Sequence, residues 1–328
     1  MSAEPIRLEA YRRSASMLRT AFGCAIGEWL DDPEVIEIML NPDGRLWVDR
    51  LGKGISASPH VLSAADGERI IRLVAHHVGA EVHGRMPRVS AELPGGGERF
   101  EGLLPPVVAA PAFAIRKPAT AVFTLADYVA TGIMSAAQSA RLRDAVSDRR
   151  NILIAGGTGT GKTTLANALL AEMADSGDRI VLIEDTRELQ CSAPDFVAMR
   201  TCDGVVSMAD LVRSSLRLRP DRISIGEVRG PEALDLLKAW GTGHPGGIGT
   251  IHASTANGAL LRMEQLIQEA VLTVPRALLA QTINIIAVLV RDGAGRRLAQ
   301  IAEVDGLDPV SGDYRMMAEL YPQIGDNT

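Results

Sequence analysis

One stretch of nine residues carries the plainest chemistry in the chain: Gly156-Gly157-Thr158-Gly159-Thr160-Gly161-Lys162-Thr163-Thr164. It fits the phosphate-loop pattern G-x-x-x-x-G-K-[ST] at every fixed position, and all nine residues are candidates for holding a nucleotide. Glycines let the backbone curl until several N–H groups face one anion, and a helix starting there adds partial positive charge. Such a loop cradles a nucleoside triphosphate: Lys162 would reach the β- and γ-phosphates, and the Thr163 hydroxyl would ligate Mg²⁺. The context agrees. Asn151 to Ala155 reads as a buried strand and Leu165 to Leu170 as a helix, so the loop joins strand to helix as the motif requires.

Three further clusters follow apolar runs. In Ile183-Glu184-Asp185-Thr186-Arg187-Glu188-Leu189 the acidic side chains can hold Mg²⁺ or orient an attacking water. Glu184 is a candidate metal ligand and Glu188 a candidate catalytic group, with the choice of water-activating glutamate left open. In Arg222-Ile223-Ser224-Ile225-Gly226-Glu227-Val228-Arg229 the place of a Walker B strand is filled, but Gly226 stands where a metal-binding aspartate is usual. Glu227 becomes the acid nearest the γ-phosphate, able to polarise water or hold a metal-bound water. The third cluster, Gly241 to Ala253, ends a short apolar strand with His252, which can hydrogen-bond a γ-phosphate oxygen and register its loss.

The elements that must position these groups fall into two parts. Residues 1–117 read as an α+β unit. Ile6 to Leu30 has helical spacing with an arginine-rich polar face, Val35 to Leu40 and Arg45 to Asp49 read as strands, and Asn41-Pro42-Asp43-Gly44 is a turn between them. Ser63 is the expected N-cap of a helix running to Val78, and Arg99 to Leu104 and Ala112 to Arg116 are further strands. Residues 118–130 are expected to be a linker. From 131 to 328 helices alternate with short apolar runs at Arg179 to Glu184, Arg222 to Ile225 and Ile248 to Ile251, the pattern of a doubly wound α/β domain.

Together the four clusters resemble the type II/type IV secretion traffic ATPases, and within them the conjugal-transfer ATPases of the TrbB kind. The phosphate loop, an "Asp box" at 184–189, the I-S-I-G-E form of Walker B at 223–227 and a "His box" from Gly243 to His252 carry the likeness. Upstream, Asn41-Pro42-Asp43-Gly44 with Leu46-Trp47-Val48-Asp49, and Phe113-Ala114-Ile115-Arg116-Lys117-Pro118, extend it over nearly the whole chain. The resemblance implies a RecA-like P-loop domain with a smaller N-terminal α+β domain, the two clamping ATP within a hexameric ring. It implies Mg²⁺-dependent hydrolysis that powers type IV secretion or conjugal transfer, with inner-membrane secretion-channel proteins as partners. Lys162, Glu188, Glu227, His252 and Arg116 are the implied catalytic residues, and Thr163, Glu184 and Glu227 the implied metal contacts. Arg116 matches the arginine that approaches the phosphates; Arg229 and Arg141 are further arginine candidates.

Composition bounds the rest. At 328 residues two domains are expected. No apolar run reaches the ~18 residues that span a bilayer, and arginines interrupt the N-terminus where a signal peptide would be apolar. The expected place is the cytoplasm, with peripheral contact at the inner membrane through the arginine-rich helix as an option. Cys24, Cys191 and Cys202 have neither metal-site nor disulfide spacing and read as free buried thiols. A DNA-translocating motor and a nucleotide-gated assembly factor with little turnover are the alternatives. A net charge of −6 and 4% aromatic residues argue against direct nucleic-acid binding.

Overall fold

The computed structural model describes residues 4–118, 123–202, 204–293 and 295–317, with side chains from residue 15 onward. The chain divides into two compact units, Met1–Thr120 and Ala121–Thr328.

The first unit runs α1 (Glu4–Asp31), β1 (Val35–Leu40), β2 (Arg45–Arg50), β3 (Gly54–Val61), α2 (Ala64–His77), β4 (Arg88–Glu92), β5 (Arg99–Leu103) and β6 (Ala112–Arg116). Its six strands form an antiparallel sheet in the order β3-β2-β1-β6-β5-β4. Alternation decides which face is covered. Ile38, Leu40, Phe100, Phe113 and Ile115 bury with Leu18, Phe22 and Ile26 of α1 and Ile70, Ile71 and Val74 of α2. Ser63 caps α2, its side chain accepting the N–H of Asp66, as its position in the sequence predicts.

The second unit runs α3 (Leu125–Ala130), α4 (Ala136–Ser147), β7 (Ile152–Gly156), α5 (Lys162–Ala171), β8 (Ile180–Glu184), β9 (Phe196–Arg200), α6 (Met208–Ser215) and β10 (Arg222–Ile225). It continues with α7 (Glu232–Gly241), β11 (Ile248–Ile251), α8 (Ala256–Gln268), α9 (Arg276–Thr282), β12 (Ile285–Asp292), β13 (Gly295–Leu307) and β14 (Tyr314–Met317). The eight strands lie in the order β14-β13-β12-β7-β11-β10-β8-β9. Strands β9 through β12 are parallel, and β13 and β14 extend the edge antiparallel. Alternate residues of β7 serve opposite faces. Ile152 and Ile154 join a core with α3, α4 and α5, while Leu153 and Ala155 join one with α6, α7 and α8. A sheet covered on both sides explains why these strands are unbroken apolar runs.

At the end of the sheet away from the phosphate loop, buried Arg222 opens β10 and donates to Asp178 at 2.6 Å and to the carbonyl of Val146 at 2.9 Å. Arg149 donates to the other oxygen of Asp178.

Several expectations change. Of the stretch read as a linker, residues 119–122 lie outside the described residues. Leu125–Ala130 is the capped helix α3, with Leu125 and Tyr128 buried in the second unit's core. Strands β3, β4 and β9 and helix α9 carry too little apolar patterning to announce themselves, and the apolar run from Ile283 is largely β12. Cys24 and Cys202 are exposed and Cys191 partly so, because their positions lie on a helix surface and in loops rather than in a core. Side chains of Arg7, Arg12 and Arg13, and the tail beyond Met317, lie outside the described residues. Among the described residues no helix is long and apolar enough to cross a membrane.

Candidate active site

The carboxyl ends of β7, β8, β10 and β11 bring the four sequence clusters to one edge of the parallel sheet. The phosphate loop leaves β7 and turns into α5 at Gly161, which is left-handed at φ 93° and so suits glycine. Thr160 closes the turn by donating to the carbonyl of Gly157 at 2.9 Å. Lys162 is buried, its ammonium donating to the carbonyls of Gly156 and Gly157 at 3.1 Å each.

That ammonium also lies 3.4 Å from Nδ1 of His252 at the end of β11. An ammonium only donates, so Nδ1 accepts and the ring hydrogen sits on Nε2. Nε2 faces Glu227 Oε1 at 2.8 Å, and Arg229 donates to the second oxygen of Glu227 at 2.7 Å. Arg229 reaches on to Asp185 at 3.4 Å, which accepts from Thr201 at 2.9 Å. One chain of contacts therefore links the phosphate loop, His box, Walker B and Asp box.

The electrostatics follow from it. Burial pushes the Glu227 carboxyl up, but the Arg229 hydrogen bond and the charges of Arg229, His252 and Lys162 outweigh it and hold Glu227 below the usual range. Burial lowers the His252 pKa, and Lys162 and Arg229 add to that against Glu227, so the ring is neutral at pH 7.

A second contact set ties the Asp box to α5. Thr163 Oγ1 donates to Glu188 Oε2 at 3.0 Å. Asn167, one turn further along α5, donates to the Glu188 carbonyl at 3.0 Å and accepts the Gln190 N–H at 2.9 Å. Asn167 was not among the sequence candidates. Its signal is its spacing: a polar residue four positions after Thr163 in an apolar, buried helix.

Glu184, the expected metal contact, is turned toward the backbone of its own loop. It is 2% exposed, and its Oε1 accepts the backbone N–H groups of Glu188 and Leu189 at 2.9 and 2.6 Å. Burial raises its pKa to about 7 despite those bonds. Gly226 lies against it: a Cβ there would stand 3.4 Å from Glu184 Cγ, so an aspartate at 226 would compete for the same space.

Arg116 belongs to the first unit, ending β6 as register partner of both Glu37 and Arg99. Arg141 donates to Glu303 at 2.7 Å. Of the histidines in the His box, His244 is held by the Pro220 carbonyl at 2.8 Å, leaving His252 to face the loop.

A phosphate loop at the head of a doubly wound sheet, with an acid and a histidine closing on its lysine, defines a P-loop nucleoside triphosphatase of RecA-like architecture. The fold is shared with the crystal structure of the pilus retraction motor PilT with bound ADP: TM-score 0.59 and 20% identity, over 94% of this chain and 83% of that one. A sequence model described as type II/IV secretion system protein matches residues 84–308. The probable conjugal transfer protein TrbB of Sinorhizobium fredii is 48% identical over 301 residues, 91% of this chain and 92% of the relative. The conjugal transfer protein TrbB of Rhizobium radiobacter is 47% identical over 324 residues, 98% of each. The chain belongs to the type II/IV secretion system protein family.

Proposed function

We propose that this protein hydrolyses ATP with Mg²⁺ to power a conjugal-transfer or type IV secretion system, in pilus assembly or substrate transfer. In this reading it works at the cytoplasmic face of the inner membrane as a homo-oligomeric ring, hexameric by family resemblance, docked on inner-membrane channel proteins. The observation that carries the reading is the contact chain Lys162–His252–Glu227–Arg229, which joins the phosphate loop to a carboxylate.

The parts divide as follows. Residues 156–164 hold the phosphates through backbone N–H groups, and Lys162 supplies a positive charge to them. The hydroxyl of Thr163 and the carboxylate of Glu188 are hard oxygens 3.0 Å apart, a donor set suited to a dication that keeps phosphate and water as its other ligands. When bound, Mg²⁺ neutralises charge on the phosphate oxygens. Glu227, ionised at neutral pH, accepts the proton of the attacking water, while His252 and Arg229 fix its orientation. Arg116 is assigned charge stabilisation by the resemblance alone, and Arg116→Ala is then expected to cost ~10³-fold or more in turnover.

Purified protein should release phosphate from ATP only with Mg²⁺ present, and Lys162→Ala should abolish that release. Turnover that survives the substitution would sink the assigned site. Native mass measurement with and without ATP tests the ring, which a monomer under all conditions would exclude.

A further inference from the structure

Strand β7 delivers the phosphate loop between two unlike neighbours. Toward β11 and β10 stand His252 and Glu227, so the γ-phosphate end of a nucleotide faces that side. Toward β12 the sheet carries the β12–β13 hairpin, which brings two arginines onto the loop. Arg291 places Nη2 3.0 Å from where a Cβ on Gly159 would stand. Arg296 places Nη1 3.3 Å and Cδ 3.6 Å from the same point on Gly161. Both glycines have positive φ, 69° and 93°, so the curvature of the loop calls for glycine there, and the guanidiniums lie close against the same two residues.

Neither guanidinium has a carboxylate partner among the described residues. The hairpin's own Asp292 is taken by Arg297 at 3.1 Å. Two uncompensated cations thus sit beside a cradle of backbone N–H groups, within a Debye length of its contents. Guanidinium is the side chain best matched to phosphate oxygens, which it binds through paired, charge-assisted hydrogen bonds.

We infer that Arg291 and Arg296 bind the α- and β-phosphates of the nucleotide, from the side of the loop opposite His252 and Glu227. The inference rests on the nucleotide reading above and adds a second, hairpin-borne set of ligands to it. Because ATP and ADP share these phosphates, the pair grips substrate and product alike.

The test is fluorescence titration of the full chain and an Arg291→Ala/Arg296→Ala variant with ATP, ADP and inorganic tripolyphosphate. The variant should bind all three more weakly by about tenfold or more, with the ATP-to-ADP ratio unchanged. Arg291→Lys/Arg296→Lys should recover part of the loss, since charge persists but the paired geometry does not. Wild-type affinity for all three ligands in the alanine variant would overturn the inference. So would a loss confined to ATP, which points to the γ-phosphate, or a loss for both nucleotides with tripolyphosphate spared, which points to the base or ribose. A wild-type chain that binds no nucleotide would overturn the underlying reading as well. An unchanged thermal midpoint separates these outcomes from misfolding.

Discussion

His252 holds Glu227 through its Nε2–H across 2.8 Å, and it does so as a neutral ring whose other nitrogen accepts from Lys162. The carboxylate to which we assign the water and the lysine to which we assign the phosphates therefore share one side chain between them. Any change in what Lys162 touches alters the hydrogen bond that His252 offers to Glu227.

Glu227→Gln should leave nucleotide binding intact and lower turnover by ~10²–10⁴, the usual worth of a positioned general base. Binding by fluorescence and phosphate release by a coupled assay measure the two separately. Turnover near wild type would move the base to Glu188.

Glu184 gives a pH dependence with a definite sign. Its folded pKa of about 7 lies above the ordinary 4.5, so between these values the folded chain binds more protons than the unfolded one. Stability from this group is full below about pH 4.5 and is lost as pH rises toward 7. Glu184→Gln keeps an oxygen for the Glu188 and Leu189 N–H groups without the ionisation. Denaturant titrations should show the variant gaining on wild type across that window, by roughly 3 kcal/mol at most. Its Mg²⁺ requirement should not move, whereas a raised requirement would restore Glu184 as a metal ligand.

Asn167→Ala should destabilise the second unit by about 1–3 kcal/mol, since the Glu188 carbonyl and Gln190 N–H lose a buried partner. Turnover should fall with it, because Glu188 is positioned by the same loop. Denaturation and activity of one preparation check both, and activity lost with no change in stability would assign Asn167 to the nucleotide instead.

Asp178→Ala leaves Arg222 charged, buried and without its partner, and should cost about 3–5 kcal/mol. Urea unfolding of the variant measures it. A cost below about 1 kcal/mol would mean that water or the Val146 carbonyl alone satisfies the arginine.

How much of this was legible in the sequence depended on how locally each feature is encoded. The phosphate loop is contiguous, and β7, β8, β10 and β11 are short runs buried on both faces, so composition alone marks them. Strand β9 has exposed Phe196, Ala198 and Arg200 at the sheet edge, and an edge strand needs little apolar patterning. The adjacency of β12 to β7 joins residues more than a hundred positions apart, which no local pattern records. For the same reason the hairpin arginines escaped notice while His252 did not: one lies in a recognisable box, the others are brought to the loop only by strand order. The turn of the Glu184 carboxylate toward the Glu188 and Leu189 N–H groups was not legible either, because residue type says nothing about which way a carboxylate turns.

Strand β10 is held differently at its two ends. Arg222 is clamped by Asp178 and the Val146 carbonyl at one end, and Glu227 hangs just beyond the other among partners that can be exchanged. Between these ends the strand is laddered to β8 and β11, and past Glu227 the Val228 N–H donates to the Thr250 carbonyl at 2.9 Å. In mechanical terms β10 is therefore a rod seated in the sheet, with the short segment Val228 to Pro231 joining its tip directly to α7.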